Sequence, residues 1–330
     1  MNPEGKVERS KMRILVTGAA GFIGSEFLIQ LTSNQNYKIS VIDSLTYAGR
    51  IKNLAEVEHK IKFQKLDIRN RQNLEEFFKK GSFDKVVHFA AESHVDNSIV
   101  NPNIFLETNI FGTQNLIEMS VKYGILEFLH VSTDEVYGSL MSGFAGEDAS
   151  FNPASAYSAS KASAEHFVNA AKHTFKLNIK IVRCSNNYGP RQYPEKLIPH
   201  FISKIKQGQN VTLYGTGKNI REWLHVSDCA AGIILVFESE KQNEIYNISS
   251  GQFHTNVEVA NLILNHFGLN EDRISFIEDR KGHDFRYAIS SKKITDELGW
   301  EPKIEFRQGL TDTINWYSRN EWALQKNMDA

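Results

Sequence analysis

The sequence predicts an α/β fold: a doubly wound parallel sheet of the Rossmann type with a smaller C-terminal substrate-binding lobe. Three observations predict it. Short β-branched runs alternate with amphipathic stretches through the first half, the pattern of βαβ units whose strands lie parallel beneath helices on both faces. The first of these runs leads into a glycine-rich turn that opens a helix. The second half loses the alternation and reads as loops and separate helices. A chain of 330 residues is long enough for one large domain or two smaller ones with a buried core.

Taken in order, Arg13–Thr17 is strand-like, and a helix runs from Phe22 to about Leu31. Lys38–Ile42 is a second strand ending at Asp43, and Ile61–Leu66 a third ending at Asp67. Asp84–Phe89, Glu127–Ser132 and Ile179–Arg183 follow as strands, with helical patterns over Pro102–Val121 and Ala156–Phe175. Ligands of such sheets bind at the carboxyl ends of the strands, and every candidate residue as far as Thr133 follows such an end. Gly189 to about Gly217 is rich in proline and glycine and is expected to be loop. A helix follows His225, Glu244–Ile248 is a strand, and Asn256–Phe267 and Phe306–Tyr317 are helical. The expected organisation is a disordered tail over residues 1–11 and a dinucleotide-binding domain over 12–186. Segments around 225–250 return to that domain, and the rest of 187–330 forms the second lobe.

Composition narrows the function. Lys plus Arg total 38 against 39 Asp plus Glu, a formal charge of −1, and no long basic run occurs. Non-specific nucleic-acid binding is therefore not expected. No apolar stretch reaches the ~18 residues of a membrane span, and Met1–Lys11 is too polar for a secretory signal. A cytoplasmic protein with no membrane partner is the expectation. Cys184 and Cys229 sit among apolar neighbours and read as buried free thiols. With no CxxC, HExxH or His cluster, no metal site is expected.

Thr17-Gly18-Ala-Ala-Gly21-Phe-Ile-Gly24 is the candidate cofactor site. Gly18 permits a sharp turn, Gly21 a close approach of a pyrophosphate to the helix N-terminus, and Gly24 close packing of helix on strand. Asp43 lies 19 residues beyond Gly24, at the end of the second strand. A carboxylate there accepts hydrogen bonds from the adenosine ribose and repels a 2′-phosphate, so NAD is favoured over NADP. Asp67 and Ile68, after the third strand, are placed to meet the adenine.

Tyr157 and Lys161 form a Tyr-x-x-x-Lys pair, on one helix face about 6 Å apart along the axis. A phenol ordinarily titrates near ~10. A neighbouring ammonium and a cationic nicotinamide are expected to lower it, so that Tyr157 takes a hydroxyl proton as hydride leaves. Ser132-Thr133-Asp134-Glu135 follows the fifth strand. Oxidising a sugar hydroxyl acidifies the adjacent C–H. One carboxylate then removes that proton, and a second, protonated carboxyl helps a β-hydroxyl leave as water. As a purely structural feature, the same pair is an Asx-type turn beside a solvated glutamate.

These residues sit in longer stretches: Leu-Thr-Tyr-Ala-Gly (45–49), Ala-Ala-Glu-Ser-His-Val-Asp (90–96), Ser-Thr-Asp-Glu-Val-Tyr-Gly (132–138), Ser-Asn-Asn-Tyr-Gly-Pro (185–190), Pro-Glu-Lys-Leu-Ile-Pro (194–199) and Gly-His-Asp (282–284). Over Met12 to about Tyr317 the chain resembles the nucleotide-sugar dehydratases of the extended short-chain dehydrogenase/reductase family. The resemblance implies a redox-neutral dehydration of a nucleotide-linked glucose, dTDP-glucose. Tyr157 would deprotonate the 4-hydroxyl as NAD takes the C4 hydride, and Thr133 would hold that oxygen. Glu135 would remove the C5 proton, Asp134 would protonate the departing 6-hydroxyl, and hydride would return to C6. Lys161 would hold the nicotinamide ribose. The implied NAD contacts are Gly18, Gly21, Phe22, Ile23, Gly24, Asp43, Ser44, Leu45, Thr46, Asp67, Ile68, Phe89, Ala90, Ala91, Ser93, Thr108, Asn187, Tyr157 and Lys161. The implied nucleotide-sugar contacts are Ser93, Thr133, Asn186, Lys196, Leu197, Tyr214, Arg221, Asn256, Arg280 and His283.

The sequence departs from the family pattern at Asn97, Arg191, Thr216 and Phe285, with Arg191 and Phe285 expected near the nucleotide end. The helices over 102–121 and 156–175 carry apolar residues on more than one face, and the resemblance implies that they pair into a homodimer. An NDP-sugar 4-epimerase or decarboxylase uses the same Thr-Tyr-Lys set but has no need of Asp134 and Glu135 for expelling water. A non-catalytic NAD-binding protein has no need of any of them.

Overall fold

The computed structural model describes residues 11–326, so the expected tail lies, apart from Lys11, outside the described residues. The strands are β1 (Met12–Thr17), β2 (Tyr37–Asp43), β3 (Ile61–Lys65), β4 (Lys85–His88), β5 (Glu127–Thr133), β6 (Ile179–Cys184), β7 (Asn186–Tyr188), β8 (Val211–Tyr214), β9 (Ile220–His225), β10 (Glu244–Ile248), β11 (Phe253–Thr255) and β12 (Ile274–Ile277). Seven of them make one sheet in the order β10-β6-β5-β4-β1-β2-β3, and every pairing in it is parallel. The order 3-2-1-4-5-6 with one added strand is that of a doubly wound dinucleotide-binding fold.

The helices are α1 (Phe22–Leu31), α2 (Arg71–Lys80), α3 (Val95–Val100), α4 (Pro102–Phe105), α5 (Thr113–Lys122), α6 (Ala156–Phe175), α7 (Leu197–Lys206), α8 (Val226–Glu238), α9 (Asn256–His266), α10 (Lys292–Leu298) and α11 (Phe306–Arg319). Strand alternation sends β1 side chains to both faces. Ile14 and Val16 pack with Phe27 of α1 and Ile233 of α8, while Leu15 packs with Leu116 of α5 and Val168 of α6. A fully buried side chain of this kind contributes about 1.5–3 kcal/mol, so both faces demand cover. The segment around 225–250 returns to this core as α8 and β10, as do Ile294 and Trp300.

Two features differ from the sequence expectation. The helix expected over 102–121 is interrupted by a π-helical stretch, Leu106–Gly112. There the Thr113 hydroxyl donates to Asn109 O at 2.6 Å, and Gly112 passes so close to Ile68 that a Cβ would stand 2.6 Å from its Cδ1. The region expected to be loop contains α7 and β8. Pro199 sits in the first turn of α7, where its missing N–H has no intrahelical acceptor to lose. Ile198, Phe201, Ile202 and Ile205 then give the helix a buried face. This face joins Tyr188, Trp223, Phe306 and α9 in a second core. Among the described residues no helix is long and apolar enough to cross a membrane.

Candidate active site

A cleft opens along the carboxyl edge of the sheet, from β3 past β1 to β5 and β6. At its centre β1 ends at Thr17, and the chain turns at Gly18 with φ +70. A Cβ on Gly18 would stand 2.4 Å from Ala90 N, so the position requires glycine for both conformation and space. α1 starts at Gly21 with no side-chain cap and no acidic residue in its first turn. Its first N–H groups and positive dipole end therefore remain available for an anion. Asp43, at the end of β2, accepts from Ala20 N–H at 2.9 Å and Leu45 N–H at 2.8 Å. Burial raises its carboxyl while those two N–H groups pull it down. Its oxygens keep lone pairs for a ribose diol. The Arg69 guanidinium donates to Asp67 Oδ2 at 2.6 and 2.9 Å and to Oδ1 at 3.1 Å, and overcomes burial to hold that carboxylate below its ordinary value.

At the far end, Thr133 caps a 3-10 turn over Asp134–Tyr137 by accepting from Glu135 N–H at 3.3 Å. Because Thr133 does the capping, both carboxylates that follow are released from it. Asp134 is 2% exposed, and its Oδ2 has no hydrogen-bond partner among the described residues. Burial, then Glu135 and Glu222, push its carboxyl well up. Glu135 is also raised by burial, but Arg221, Lys196 and Arg280 pull it back towards ionisation. Both carboxyls are thus raised, Asp134 more strongly than Glu135, which is the ordering that an acid beside a base requires.

Both groups share the cleft with Tyr157 and Lys161 of α6. The N-terminus of α6 is fixed by a capping box between Ser155 and Ser158. Lys161 is buried, donates to Val131 O at 2.7 Å and is lowered to about 8 by desolvation. The lowered phenol expected of Tyr157 is not supplied by the protein. Burial and the carboxylates of Glu135 and Asp134 push it up, with only a hydrogen bond to Thr133 opposing them.

Of the expected cofactor residues, all line the cleft except Leu45. Leu45 has φ 52, and its side chain turns into the core beside α1. Of the expected substrate residues, Ser93, Thr133, Asn186 and Lys196 line it, whereas Leu197, Tyr214, Arg221, Asn256, Arg280 and His283 do not. Arg221 lies 4.5 Å over the Tyr287 ring and donates to the carbonyls of Ile220, Asp284 and Phe285. Arg280 lies 4.7 Å over Tyr214, whose hydroxyl donates to Asp96 at 3.2 Å, with His283 beside that ring at 6.3 Å. The charges of Arg221, Lys196 and Arg280 nevertheless favour ionisation of Glu135. Asn256 opens α9. Arg191, expected near the nucleotide end, instead pairs with Glu26 of α1 and, at 3.5 Å, with Glu56.

Sequence reasoning missed Arg69, Gln192, Tyr193 and Glu195 among the lining residues, and Tyr287 beside Glu135. Adjacency to Asp67 and to Pro-Glu-Lys-Leu was the available signal for the first four; Tyr287 had none. Cys184 and Cys229 are buried and free, and among the described residues no cluster of metal-ligating side chains occurs. Buried oxygens of Ser132, Ser185, Asn186 and Asn187, all lining the cleft, lack partners among the described residues. Together with the uncapped α1 and the Asp43 carboxylate they fit a dinucleotide.

The family described as GDP-mannose 4,6 dehydratase matches residues 15–313. A dTDP-glucose 4,6-dehydratase of Actinoplanes sp. is 43% identical over 317 residues, covering 94% of this chain and 98% of that one. The crystal structure of DesIV, a dTDP-glucose 4,6-dehydratase from Streptomyces venezuelae with NAD and TYD bound, is 44% identical with a TM-score of 0.91, covering 95% of this chain and all of that one. The UDP-glucose 4-epimerase of Thermotoga maritima is 30% identical with a TM-score of 0.87, covering 94% of this chain and all of that one.

Proposed function

This chain belongs to the GDP-mannose 4,6-dehydratase family, and on that premise we propose that it converts dTDP-glucose to dTDP-4-keto-6-deoxyglucose with NAD as a resident cofactor. The observation that carries the reading is the Asp134–Glu135 pair beside Tyr157 and Lys161 in one cleft, with Asp134 raised more strongly than Glu135 by its surroundings. In this reading residues 12–186, with the segments around 225–250, hold the cofactor. Most of 187–330 holds the nucleotide sugar.

Bound NAD supplies the hydride acceptor at C4, the donor to C6 and the positive charge that brings the Tyr157 phenol down. The α1 N-terminus at Gly21–Gly24 holds the pyrophosphate, Asp43 the adenosine ribose, Asp67 and Ile68 the adenine, and Lys161 the nicotinamide ribose. Tyr157 takes the proton of the 4-hydroxyl, and Thr133 holds that oxygen by its hydroxyl. Glu135, kept ionisable by three cations, removes the C5 proton made acidic by the 4-ketone. Asp134 gives its proton to the departing 6-hydroxyl, which leaves as water. Lys196 in the cleft, with Arg221 and Arg280 outside its lining, supplies the cations for the diphosphate; Ser93 and Asn186 complete the substrate wall, and Leu197, Tyr214, Asn256 and His283 are assigned to the nucleotide end beyond that lining.

Product mass spectrometry after incubation with dTDP-glucose tests the reading. Loss of one water, with a 4-keto absorbance on adding base, is the expected result. An unchanged mass indicates epimerisation, and loss of carbon dioxide from a glucuronate indicates decarboxylation; either outcome refutes the dehydratase assignment. The chain is further proposed to act as a homodimer through the helices over 102–121 and 156–175, which leave Leu106, Phe111, Phe167 and Phe175 exposed.

A further inference from the structure

Arg50 does not line the cleft, yet it grips both of its walls. Its main-chain N–H donates to Ala20 O at 2.9 Å, inside the glycine turn. Asn53 Nδ2 donates to the same carbonyl at 2.8 Å. Thr46, Ala48 and Gly49, just before Arg50, form part of the cleft rim. The guanidinium is buried and reaches into the second lobe. It donates to Ala323 O at 3.0 Å, Trp322 O at 3.3 Å and Gln325 O, all around the 3-10 turn Glu321–Leu324 that follows α11. Its carbon lies 4.6 Å over the ring of Tyr193, which lines the cleft from the second lobe and meets Tyr47 edge-on at 5.4 Å. Lys52 reinforces the same junction, 4.5 Å over the Trp322 ring.

A buried cation is tolerated only where acceptors satisfy it. Here the acceptors are main-chain carbonyls of the other lobe, so separating the walls strands the charge. Only a flat, forked guanidinium meets several carbonyls while lying on an aromatic face; a lysine cannot. We propose that Arg50 is a positioning residue that clasps the two walls of the cleft and slows departure of the dinucleotide. The proposal rests on the NAD reading above. A reaction that takes a hydride and returns it needs no exchange of cofactor between turnovers, so a clasp of this kind does not slow the cycle.

The test is a chase. Full-length protein loaded with radiolabelled NAD is diluted into excess unlabelled NAD, and retained label is followed on filters. Arg50→Gln is expected to release label about tenfold faster, the scale of losing one charge-assisted contact. Single-turnover hydride transfer at saturating NAD is expected to stay unchanged. A merely structural role predicts a lower Tm with release unaltered, and release at the wild-type rate overturns the clasp. Should Arg50→Gln not fold, the exposed Lys52→Ala decides: faster release supports the clasp, and unaltered release overturns it. Wild-type protein that binds no NAD fails in a different arm and removes both the cofactor reading and the clasp.

Discussion

Glu135 and Asp134 are adjacent in sequence and unlike in surroundings, and that difference makes their roles separable by substitution. Glu135→Gln removes the proposed base while leaving Tyr157 and Lys161 in place. Exchange of the C5 proton, followed by deuterium wash-in, is expected to fall about 10²- to 10⁴-fold, while bound NADH still forms. Wash-in at the wild-type rate would rule out Glu135 as the base. The activity profile should show an acid limb above 4.5, because burial raises the carboxyl that must ionise; the limb should disappear in Glu135→Gln. Tyr157→Phe is expected to slow the first hydride transfer about 10²-fold or more, read as NADH absorbance in a single turnover. Lys161 gives a stability signature of opposite origin. Its folded value of about 8 lies below the ordinary 10.5. Its contribution is thus fully present above 10.5 and is lost as pH falls through about 8. Between those values the NAD-free protein should gain about 1.4 kcal/mol per pH unit from this group. Urea unfolding of Lys161→Met across that window should show a flatter slope by that amount.

At the scale of elements, the glycine turn is the most constrained piece of the cleft. Gly18→Ala places a methyl 2.4 Å from the Ala90 backbone at φ +70, and neither neighbour can give way. A loss of about 2–3 kcal/mol is expected, together with loss of NAD binding, measured by thermal unfolding with and without NAD. This turn was legible in sequence because glycine chemistry is local, and so were α1 and α6, whose residue spacing is local too. The π-helical stretch at Leu106–Gly112 was not, because it depends on a Thr113 hydroxyl finding Asn109 O and on Gly112 meeting Ile68. α7 was hidden by Pro199, which weakens a helix only beyond its first turn. The upward push on Tyr157 was equally out of reach. The sequence shows that Lys161 shares its helix face, but not that Glu135 and Asp134 come closer in effect.

At the scale of the whole molecule, α6 carries chemistry on one side and unsatisfied apolar surface on the other. Tyr157 and Lys161 are buried towards the cleft, whereas Phe167 and Phe175 on the same helix are 43% and 55% exposed. The preceding helical run adds Val100 at 85%, Leu106 at 45% and Phe111 at 62%. Five such side chains from each of two protomers, each worth about 1.5–3 kcal/mol when fully buried, offer on the order of 10 kcal/mol gross at this degree of exposure. Association costs about 4–15 kcal/mol, so the balance is close and single residues decide it. In the proposed homodimer Phe111→Asp introduces a charge on both sides of the two-fold interface, and it is therefore expected to give a monomer in sedimentation equilibrium where the wild type sediments as a dimer. Phe111 is exposed within one chain, so far-UV circular dichroism of the monomer should match wild type. Because the apolar face and the Tyr157–Lys161 face belong to one helix, the monomer should also lose activity. If Phe111→Asp sediments as wild type does, the association lies on another surface, and the exposed face of α6 does not position the catalytic pair.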